Sequence, residues 1–551
     1  MPLGLHPGMR HITDVAHALG LAPNSVVPYG PGVAKIPSPV VRAHSEHPRG
    51  KLVLVTAMTP TSQGEGKTVT AIGTAMALAR EGVRAIPVLR QPSLGPVFGA
   101  KGGATGGGKA TVEPSAEINL GLTGDLYAVA TAQNLLASLI DNHLHHGNAL
   151  GLDPERIFLP RTIDLDDRAL RGVRVGIGGK GTAPERADRF VIAAASEVAA
   201  IHCLSLDPED LQRRLGAMTV GISKDGRPVT AADLGGGGAM AAVLRHAIEP
   251  NLVQTCEGTP ALVHAGPFAN LGPGTASVSS IRLALSLSDY VMVEAGFASD
   301  LGGEKFVDLV GPVGGFSPVT AILVATVSAL RHHARSSPDE PLAKGPDVVR
   351  RGLPNLSRHV ANLKALGLEP VIAINLHPDD QPAELEVLES FCQSEGLKYA
   401  RSTVYSSGSA GASSLARLVR EAADHGHPAR PVVGPTYSIP KKIETVAKTF
   451  YGAAGVSMLP AATSDLELLG KVGLELGPLC MAKTPLSLSD DAKKLGAPTG
   501  FTVSVHRLDA WTGAGFAVAH LGQILAMPGL PEHPAAGHIS VNPHGEVTGL
   551  S

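Results

Sequence analysis

Cysteine is scarce in this chain, and the few that occur lie far apart. The four cysteines are Cys203, Cys256, Cys392 and Cys480, and they include no C-x-x-C pair. This spacing excludes the usual structural zinc motifs and a disulfide framework, and it fits a reducing compartment. We therefore expect a cytoplasmic protein.

The sequence also lacks an excess of either charge and any long apolar run. Its net charge is −3, with lysine and arginine dispersed, which gives no electrostatic case for binding nucleic acid or an anionic membrane. The most apolar stretches, such as 320–330, are too short to cross a bilayer. The N-terminus shows no basic segment followed by a long apolar one. We expect a soluble protein with no nucleic-acid partner and no membrane partner.

Aromatic residues make up only 3% of the chain, so its cores must be built from alanine, valine and leucine. A length of 551 residues exceeds one hydrophobic core and predicts about two to four domains. Short apolar runs alternate with segments of helical periodicity, which predicts an α/β fold with a mainly parallel sheet covered on both faces. The predicted strands include 52–57, 84–89, 173–177, 261–265, 290–295, 320–326 and 370–375.

Two changes in composition predict domain boundaries. The segment 332–347 is polar and proline-rich, and a second change occurs near 455–465. We place the domains at 1–360, 361–458 and 459–551. Within the first of these, Pro87 interrupts the predicted strand 84–89, so this strand requires an edge position or a local break in the ladder.

The segment 51–70, KLVLVTAMTPTSQGEGKTVT, carries the clearest functional signal. An apolar strand enters a glycine turn that ends in Lys67 and Thr68, and a helix-forming run follows. Backbone N–H groups in such a loop can surround phosphate oxygens, Lys67 can reach the outer phosphates, and the Thr68 hydroxyl can ligate Mg²⁺. The common pattern G-x-x-x-x-G-K-[ST] would have glycine at Thr61. The alternative is an ordinary strand–turn–helix corner in which Lys67 is solvated.

Further candidates follow the ends of other predicted strands. Arg90 and Gln91 come directly after 84–89, where ligands of open α/β sheets bind, and Arg90 can stabilise a phosphoryl group in transfer. The glycine-rich segment 98–108 could surround an anion with its backbone or serve as a mobile lid, and the alternative is a flexible linker. Glu294 lies at the end of the predicted strand 290–295, and Asp300 follows it. Two carboxylates at a strand end point to the cleft, and the alternative is ordinary turn chemistry. Three histidines at 143–146 lack the spacing and the extra ligand of a metal site.

Taken together, these blocks resemble the formate–tetrahydrofolate ligase family. The matching blocks are TPTSQGEGKTVT (59–70), LRQPSLGPVFGAKGGATGGG (89–108), PNLVQTCEGTPALVHAGPFAN (250–270), EAGFASDLGGEKF (294–306), MAKTPLSLSDDAKKLG (481–496) and MPGLPEHPAAGHISVNPHGEVTGL (527–550). They occur in order along nearly the whole chain. The resemblance implies a large P-loop NTPase-like domain with two smaller α/β domains, and a homotetramer.

The resemblance also implies a reaction, in which ATP, formate and tetrahydrofolate give ADP, phosphate and 10-formyltetrahydrofolate through formyl phosphate. It implies that Thr61, Ser62, Gln63, Gly64, Glu65, Gly66, Lys67 and Thr68 bind Mg-ATP, with Thr68 on the Mg²⁺ ion. Catalysis is implied for Lys67 and Arg90. Asp300, Leu301, His377 and Tyr405 are implied to bind the folate.

Two departures from the family pattern bear on binding. The residue after the strand-end arginine is usually glutamate, which the resemblance links to activation by K⁺ or NH₄⁺; here it is Gln91, which keeps one acceptor oxygen. The pteridine ring is sandwiched in the family between phenylalanine and tryptophan, whereas this chain has His377 and Tyr405. We expect weaker stacking and therefore weaker folate binding.

Two other functions remain open from the sequence. A P-loop ATPase switch of the partitioning type carries an additional lysine near the start of its loop, where this chain has Ser62. The other is a folate- or nucleotide-binding relative that has lost catalysis. The chain argues against this because it retains Lys67, Thr68 and Arg90.

Overall fold

A large mixed sheet forms the centre of the protein. The computed structural model describes residues 9–45, 48–61, 64–179, 181–522 and 524–550. Neighbouring parallel strands make up the larger part of the sheet and include one of its edges. We label them β1 (Lys51–Ala57), β2 (Ala85–Leu89), β3 (Pro260–Val263), β4 (Tyr290–Glu294), β5 (Thr320–Ala325), β6 (Pro370–Asn375) and β7 (Lys398–Ser402), the last being the edge strand. Their spatial order is β3-β2-β4-β1-β5-β6-β7. The carboxyl ends of all these strands therefore meet at one edge.

Antiparallel strands extend this sheet beyond β3. They are Val27–Pro28, Ala34–Lys35, Gly106–Gly107, Ala110–Glu113 and Asn251–Thr255. Strands outside the sheet pair in small groups: Leu152–Ile157, Arg161–Ile163, Val173–Val175, Arg186–Asp188, Phe190–Ile192, Thr219–Ser223, Pro228–Thr230, Gly455–Met458, Leu479–Ala482, Thr502–Val505, Arg507–Trp511, Phe516–His520, Ser540–Val541 and Val547–Thr548. The α/β class predicted from the sequence is confirmed, and the sheet is mixed rather than purely parallel.

Helices cover both faces of the sheet. Those used below are α1 (Lys67–Arg80), α2 (Val327–His333) and α3 (Pro346–Ala365). The other α-helices are Ile12–Ala18, Ser38–Ser45, Leu94–Pro96, Ser115–Asn119, Asp125–His145, Glu197–Leu204, Pro208–Gly216, Gly236–Leu244, Val278–Leu287, Gly311–Gly314, Pro382–Ser394, Val404–Ser407, Ser413–His425, Ile439–Val446 and Pro460–Lys471. Short π-helical turns span Val97–Lys101, Ser299–Gly303, Phe306–Val310 and Ala447–Tyr451. None of the described helices has both the length and the apolar character needed to span a membrane.

The middle of β1 is an unbroken apolar run because both faces of this strand are buried. Leu52 and Leu54 belong to one hydrophobic core, and Val53 and Val55 to another on the opposite face. A strand buried on both faces cannot alternate with polar residues, which is typical of parallel sheets between helices. A third core lies within the long segment between β2 and β3 in the sequence, which supplies most of its residues.

Most predicted strands are confirmed within two residues, and the differences have physical causes. The predicted strand 173–177 is Val173–Val175, but it pairs only with Arg186–Asp188 and lies outside the main sheet. Pro87 lies in β2 between two neighbouring strands, so it is not at an edge. Pairing with β3 begins only at Val88, one residue after the proline, while pairing with β4 runs past it. This is the local break that the missing N–H requires.

The sheet runs across the predicted boundary at residue 360. Strands β6 and β7 come after that position, yet they continue the order from β5 in parallel register. The small sheets formed by Gly455–Met458 with Thr502–Val505 and by Leu479–Ala482 with its neighbours lie outside it. The division into three domains stays a prediction.

The contact between α2 and α3 gives a first test of the packing. A Cβ placed on Gly352 of α3 would lie 2.1 Å from the backbone oxygen of Leu330 in α2. We expect Gly352→Ala to force the helices apart and to lower the free energy of unfolding by about 1–3 kcal/mol. Thermal or chemical unfolding measures this change.

The matched control is Gly470→Ala in the helix Pro460–Lys471. A Cβ there meets nothing within 4 Å, so this change should raise stability by about 0.5–1 kcal/mol through helix propensity. Equal effects of the two substitutions would contradict the close approach of α2 and α3.

Candidate active site

A glycine loop connects β1 to α1 at the carboxyl edge of the sheet. Gly64 and Gly66 adopt left-handed backbone angles, with φ of 77° and 82°. A Cβ on Gly66 would lie 2.5 Å from the side-chain nitrogen of Asn375. That nitrogen donates a hydrogen bond to the carbonyl of Glu65 at 3.2 Å. Glycine is therefore required both by the backbone angle and by the approach of Asn375 from the end of β6.

Glu65 closes this loop on itself and ties it to β5. One of its carboxylate oxygens accepts from the backbone N–H of Thr61 at 2.7 Å, and the other accepts from the hydroxyl of Thr326, the first residue after β5. The Glu65 side chain is thus buried inside the loop. Ser62 and Gln63, both predicted to bind ATP, lie outside the described residues.

Glu294, the last residue of β4, gathers the predicted catalytic groups. One oxygen of its carboxylate accepts from the Thr68 hydroxyl at 2.7 Å, and the other accepts from Arg90 Nε at 3.2 Å. Burial by itself would raise the pKa of Glu294. The charge of Arg90, the Thr68 hydrogen bond and the charge of Lys67 outweigh burial, and the pKa lies below its ordinary value. The carboxylate is therefore ionised at neutral pH.

Arg90 reaches this carboxylate because the backbone leaves room for its side chain. A Cβ on Gly296 would lie 3.2 Å from Arg90 Nη1 and 2.3 Å from the Cβ of Ala269. The next residue, Phe297, has a φ of 62°, a strained angle for a residue with a side chain. Arg90 keeps 26% of its side chain exposed, so it remains open to a ligand. Lys67 and Thr68, predicted from the glycine loop, and Arg90, predicted from another strand end, thus lie around Glu294.

Gln91 points away from this group and is buried. Its backbone N–H donates to the carbonyl of Ala265 at 2.5 Å, and its side-chain nitrogen donates to the carbonyl of Gly121 at 3.3 Å. The side-chain oxygen has no hydrogen-bond partner among the described residues. A buried acceptor oxygen without a donor is a position that a cation suits.

The four predicted folate residues occupy two different environments. His377 and Tyr405 are exposed and follow the neighbouring parallel strands β6 and β7. Asp300 and Leu301 are buried, at 2% and 1% exposure, in the π-helical turn Ser299–Gly303. The carboxylate of Asp300 pairs with Lys483 Nζ at 2.8 Å, and both side chains are buried. The structure brings His377 and Tyr405 to one edge of the sheet but leaves Asp300 and Leu301 without an open surface.

The glycine-rich segment packs beside Tyr405. Gly106–Gly107 pairs with Ala110–Glu113 as a short hairpin. A Cβ on Gly108 would lie 2.0 Å from the Tyr405 carbonyl oxygen, which accepts from the Lys109 N–H at 2.8 Å. At least this end of the segment is an ordered wall next to the predicted stacking residue, which neither the lid nor the linker interpretation anticipated.

Several residues of this region escaped prediction. Asn375 and Thr326 hold the glycine loop from β6 and β5, and Thr59 is bound by Asn355 and His359 of α3. No local pattern marks these side chains. Their common signal is that each lies at a strand end or on a helix that the topology brings to the same edge.

The fold and these contacts define a class: an α/β protein with a glycine loop at a helix N-terminus, backed by two cationic side chains. A family model described as formate–tetrahydrofolate ligase matches residues 5–551. The chain is 48% identical to the formate–tetrahydrofolate ligase of Thermus thermophilus and 46% identical to that of Caldicellulosiruptor saccharolyticus, with 98% of each chain covered. It is 45% identical to the Saccharopolyspora erythraea enzyme of the same name, with 98% of each chain covered. The chain belongs to the formate–tetrahydrofolate ligase family.

The Glu294 contacts predict a pH-dependent loss of stability. We expect Glu294→Gln to lower the free energy of unfolding by about 3 kcal/mol at pH 7, because Arg90 loses its buried partner. The folded-state pKa of Glu294 is lowered, so its contribution is complete above about pH 4.3 and disappears as the pH falls through the folded value. Denaturant unfolding measures this change. The difference in the free energy of unfolding between wild type and variant should be smaller at acid pH than at pH 7.

Glu389→Gln is the control, because Glu389 pairs with Arg401 at the surface. Exposed pairs contribute about 0–1 kcal/mol, so this variant should stay close to wild type. A Glu294→Gln deficit that stays constant or widens as the pH falls would contradict the ionised carboxylate.

Proposed function

We propose that this protein ligates formate to tetrahydrofolate at the expense of ATP, giving 10-formyltetrahydrofolate, ADP and phosphate through formyl phosphate. The observation that carries the proposal is the junction at Glu294, which places the Thr68 hydroxyl and the Arg90 guanidinium on one carboxylate beside the glycine loop. Membership of the ligase family supports the reaction. Phosphoryl transfer requires positioned charges rather than a protein nucleophile. This site provides such charges.

Residues Thr61 to Thr68 would hold the ATP phosphates. The left-handed angles at Gly64 and Gly66 and the N-terminus of α1 favour backbone N–H groups facing an anion. Lys67, the first residue of α1, would bind the outer phosphates. Thr68 donates its proton to Glu294, so its oxygen keeps lone pairs that suit Mg²⁺. When bound with ATP, Mg²⁺ neutralises charge on the β- and γ-phosphates.

Arg90 would bind the formyl phosphate. A formate oxygen attacks the γ-phosphorus, the bond to the β–γ bridging oxygen breaks, and ADP leaves. The N10 amine of the folate then attacks the formyl carbon, phosphate leaves with the former formate oxygen, and N10 loses its proton. Both steps develop negative charge on phosphoryl oxygens, which a guanidinium held by a buried carboxylate can stabilise.

The folate would stack on the exposed rings of His377 and Tyr405 at the ends of β6 and β7. Asp300 and Leu301 would contribute from the π-helical turn Ser299–Gly303 once folate binding opens it. The Asp300–Lys483 pair and the low exposure of both predicted residues indicate that this requires a local rearrangement.

A monovalent cation would bind at Gln91. The unpartnered side-chain oxygen of Gln91 is a neutral acceptor, and carbonyl-type oxygens ligate K⁺ or NH₄⁺. A glutamate at this position would supply a full charge. We therefore propose a weaker cation dependence than a carboxylate would give.

The two alternative functions receive no support from the family assignment. A partitioning-type ATPase and a non-catalytic relative would both differ from the ligases to which the chain is similar along 98% of its length. The homotetramer also stays a proposal, which light scattering on the purified protein would test.

Measuring ATP hydrolysis and 10-formyltetrahydrofolate formation, with and without formate and tetrahydrofolate, tests the reaction. The proposed function requires ADP and formylated folate in equal amounts, and only with all three substrates. ATP turnover without the co-substrates would favour the ATPase switch, and no turnover would favour the non-catalytic relative.

Arg90→Lys tests the role of the guanidinium. We expect product formation to fall by about 100- to 1,000-fold, because lysine keeps the charge but loses the fork geometry, while the affinity for ATP changes by less than about threefold. Arg84→Lys is the matched control, since Arg84 forms an exposed pair with Asp289 at the other end of β2. Full activity of Arg90→Lys would remove Arg90 from the mechanism.

His377→Phe tests the folate site. A phenyl ring stacks on a pteridine better than imidazole does, so we expect the KM for tetrahydrofolate to fall by about fivefold, corresponding to about 1 kcal/mol. The KM for ATP should not change. His377→Ala should raise the KM for tetrahydrofolate, and an unchanged value in both variants would place the pteridine elsewhere.

A further inference from the structure

Thr59 at the start of the glycine loop is held by side chains at every polar group. Its N–H donates to Asn355 Oδ1 at 3.3 Å, and its carbonyl lies 3.0 Å from His333 Nε2. Its hydroxyl accepts from Asn355 Nδ2 at 3.0 Å and lies 2.8 Å from His359 Nε2. Thr59 is 1% exposed, so these bonds have no competition from water. The loop therefore begins from a point fixed by α2 and α3.

The His359 ring has a second contact, on the opposite side. Its Nδ1 lies 2.7 Å from the hydroxyl of Ser299, the residue directly before Asp300. The same hydroxyl accepts from Asn362 Nδ2 at 3.4 Å. One imidazole thus bridges the base of the proposed ATP loop and the first residue of the turn that carries the predicted folate residues.

The environment keeps this ring neutral. Burial lowers the pKa of His359 to about 4; the nearby Asp300 carboxylate opposes this effect, while Lys483 and Arg358 add to it. A neutral imidazole has one donor and one acceptor nitrogen. One of the two hydroxyls, Thr59 or Ser299, therefore donates to the ring and the other accepts from it. This pairing fixes the orientation of both side chains.

We propose that His359 is a positioning residue that couples the two substrate sites, so that ATP bound on the glycine loop strengthens the binding of tetrahydrofolate beside Ser299, and the reverse. This inference rests on the proposed function. The His359 ring joins Thr59 directly to Ser299, so a nucleotide that holds the loop at Thr59 also holds Ser299, and through it Asp300 and Leu301. Coupling of this kind is reciprocal and changes each affinity by the same factor.

The test is the binding of a non-hydrolysable ATP analogue and of tetrahydrofolate, each measured by calorimetry with and without the other. For the wild type we expect each ligand to raise the affinity of the other by about tenfold. In His359→Gln the side-chain amide replaces Nε2 and keeps the Thr59 contact, and in His359→Asn it replaces Nδ1 and keeps the Ser299 contact. Either variant should reduce the coupling factor to about one, with each separate affinity changed by less than about threefold.

Thr59→Val provides a second variant that does not touch the histidine. It removes only the hydroxyl and keeps the backbone bonds to Asn355 and His333, so it should lose the coupling in the same way. His202→Gln is the matched control: His202 is equally buried, bonds the Ala247 carbonyl at 2.6 Å and contacts neither loop. Its coupling factor should equal that of the wild type.

The possible results separate this inference from the proposed function. A wild type that binds both ligands independently overturns the coupling but leaves the ligase reaction intact. Coupling that survives in His359→Gln, His359→Asn and Thr59→Val also overturns it. If the three variants lose each separate affinity as much as the coupling, the bridge is merely structural and the inference is wrong. A wild type that binds no folate overturns the proposed function itself.

Discussion

The arrangement of this site depends on one buried carboxylate. Glu294 accepts from the Thr68 hydroxyl with one oxygen and from the Arg90 guanidinium with the other, and it lies in the field of Lys67. Without this negative charge, the mutual repulsion of Lys67 and Arg90 and the cost of desolvating them would oppose their convergence in a partly buried place. The carboxylate makes a cationic cluster stable before any phosphate is present.

The glycine loop is likewise held by side chains from other parts of the fold, which bind its polar groups. Asn375 binds the Glu65 carbonyl from β6, Thr326 binds the Glu65 carboxylate from β5, and His359 binds Thr59 from α3. The described residues on either side of positions 62 and 63 are thus organised before a ligand arrives, which lowers the cost of ordering them on binding. The strand order, which places β4 and β5 on either side of β1, makes these contacts possible.

Local patterns in the sequence were sufficient for the central strands and the glycine turn, because apolar runs and glycine turns are local signals. They also marked Lys67 and Arg90 as candidates, whose catalytic role stays a prediction. They were insufficient for Glu294, whose role depends on β4 lying between β1 and β2. The same holds for Asn375 and His359, which come from distant parts of the chain. The burial of Asp300 by Lys483, a residue 183 positions later, could not be read from either segment. The polar segment 332–347 lies between β5 and β6, which are neighbours in the sheet, so a change of composition along the chain does not show which strands pair.

We propose that formate is activated by phosphorylation at the cationic cluster around Glu294. Supplying formate with ¹⁸O at both oxygens, together with ATP and tetrahydrofolate, and analysing the phosphate by ³¹P NMR or mass spectrometry tests it directly. A formyl phosphate intermediate leaves one ¹⁸O atom in each phosphate released and the other in the formyl group. Phosphate without label, formed together with 10-formyltetrahydrofolate, would contradict it.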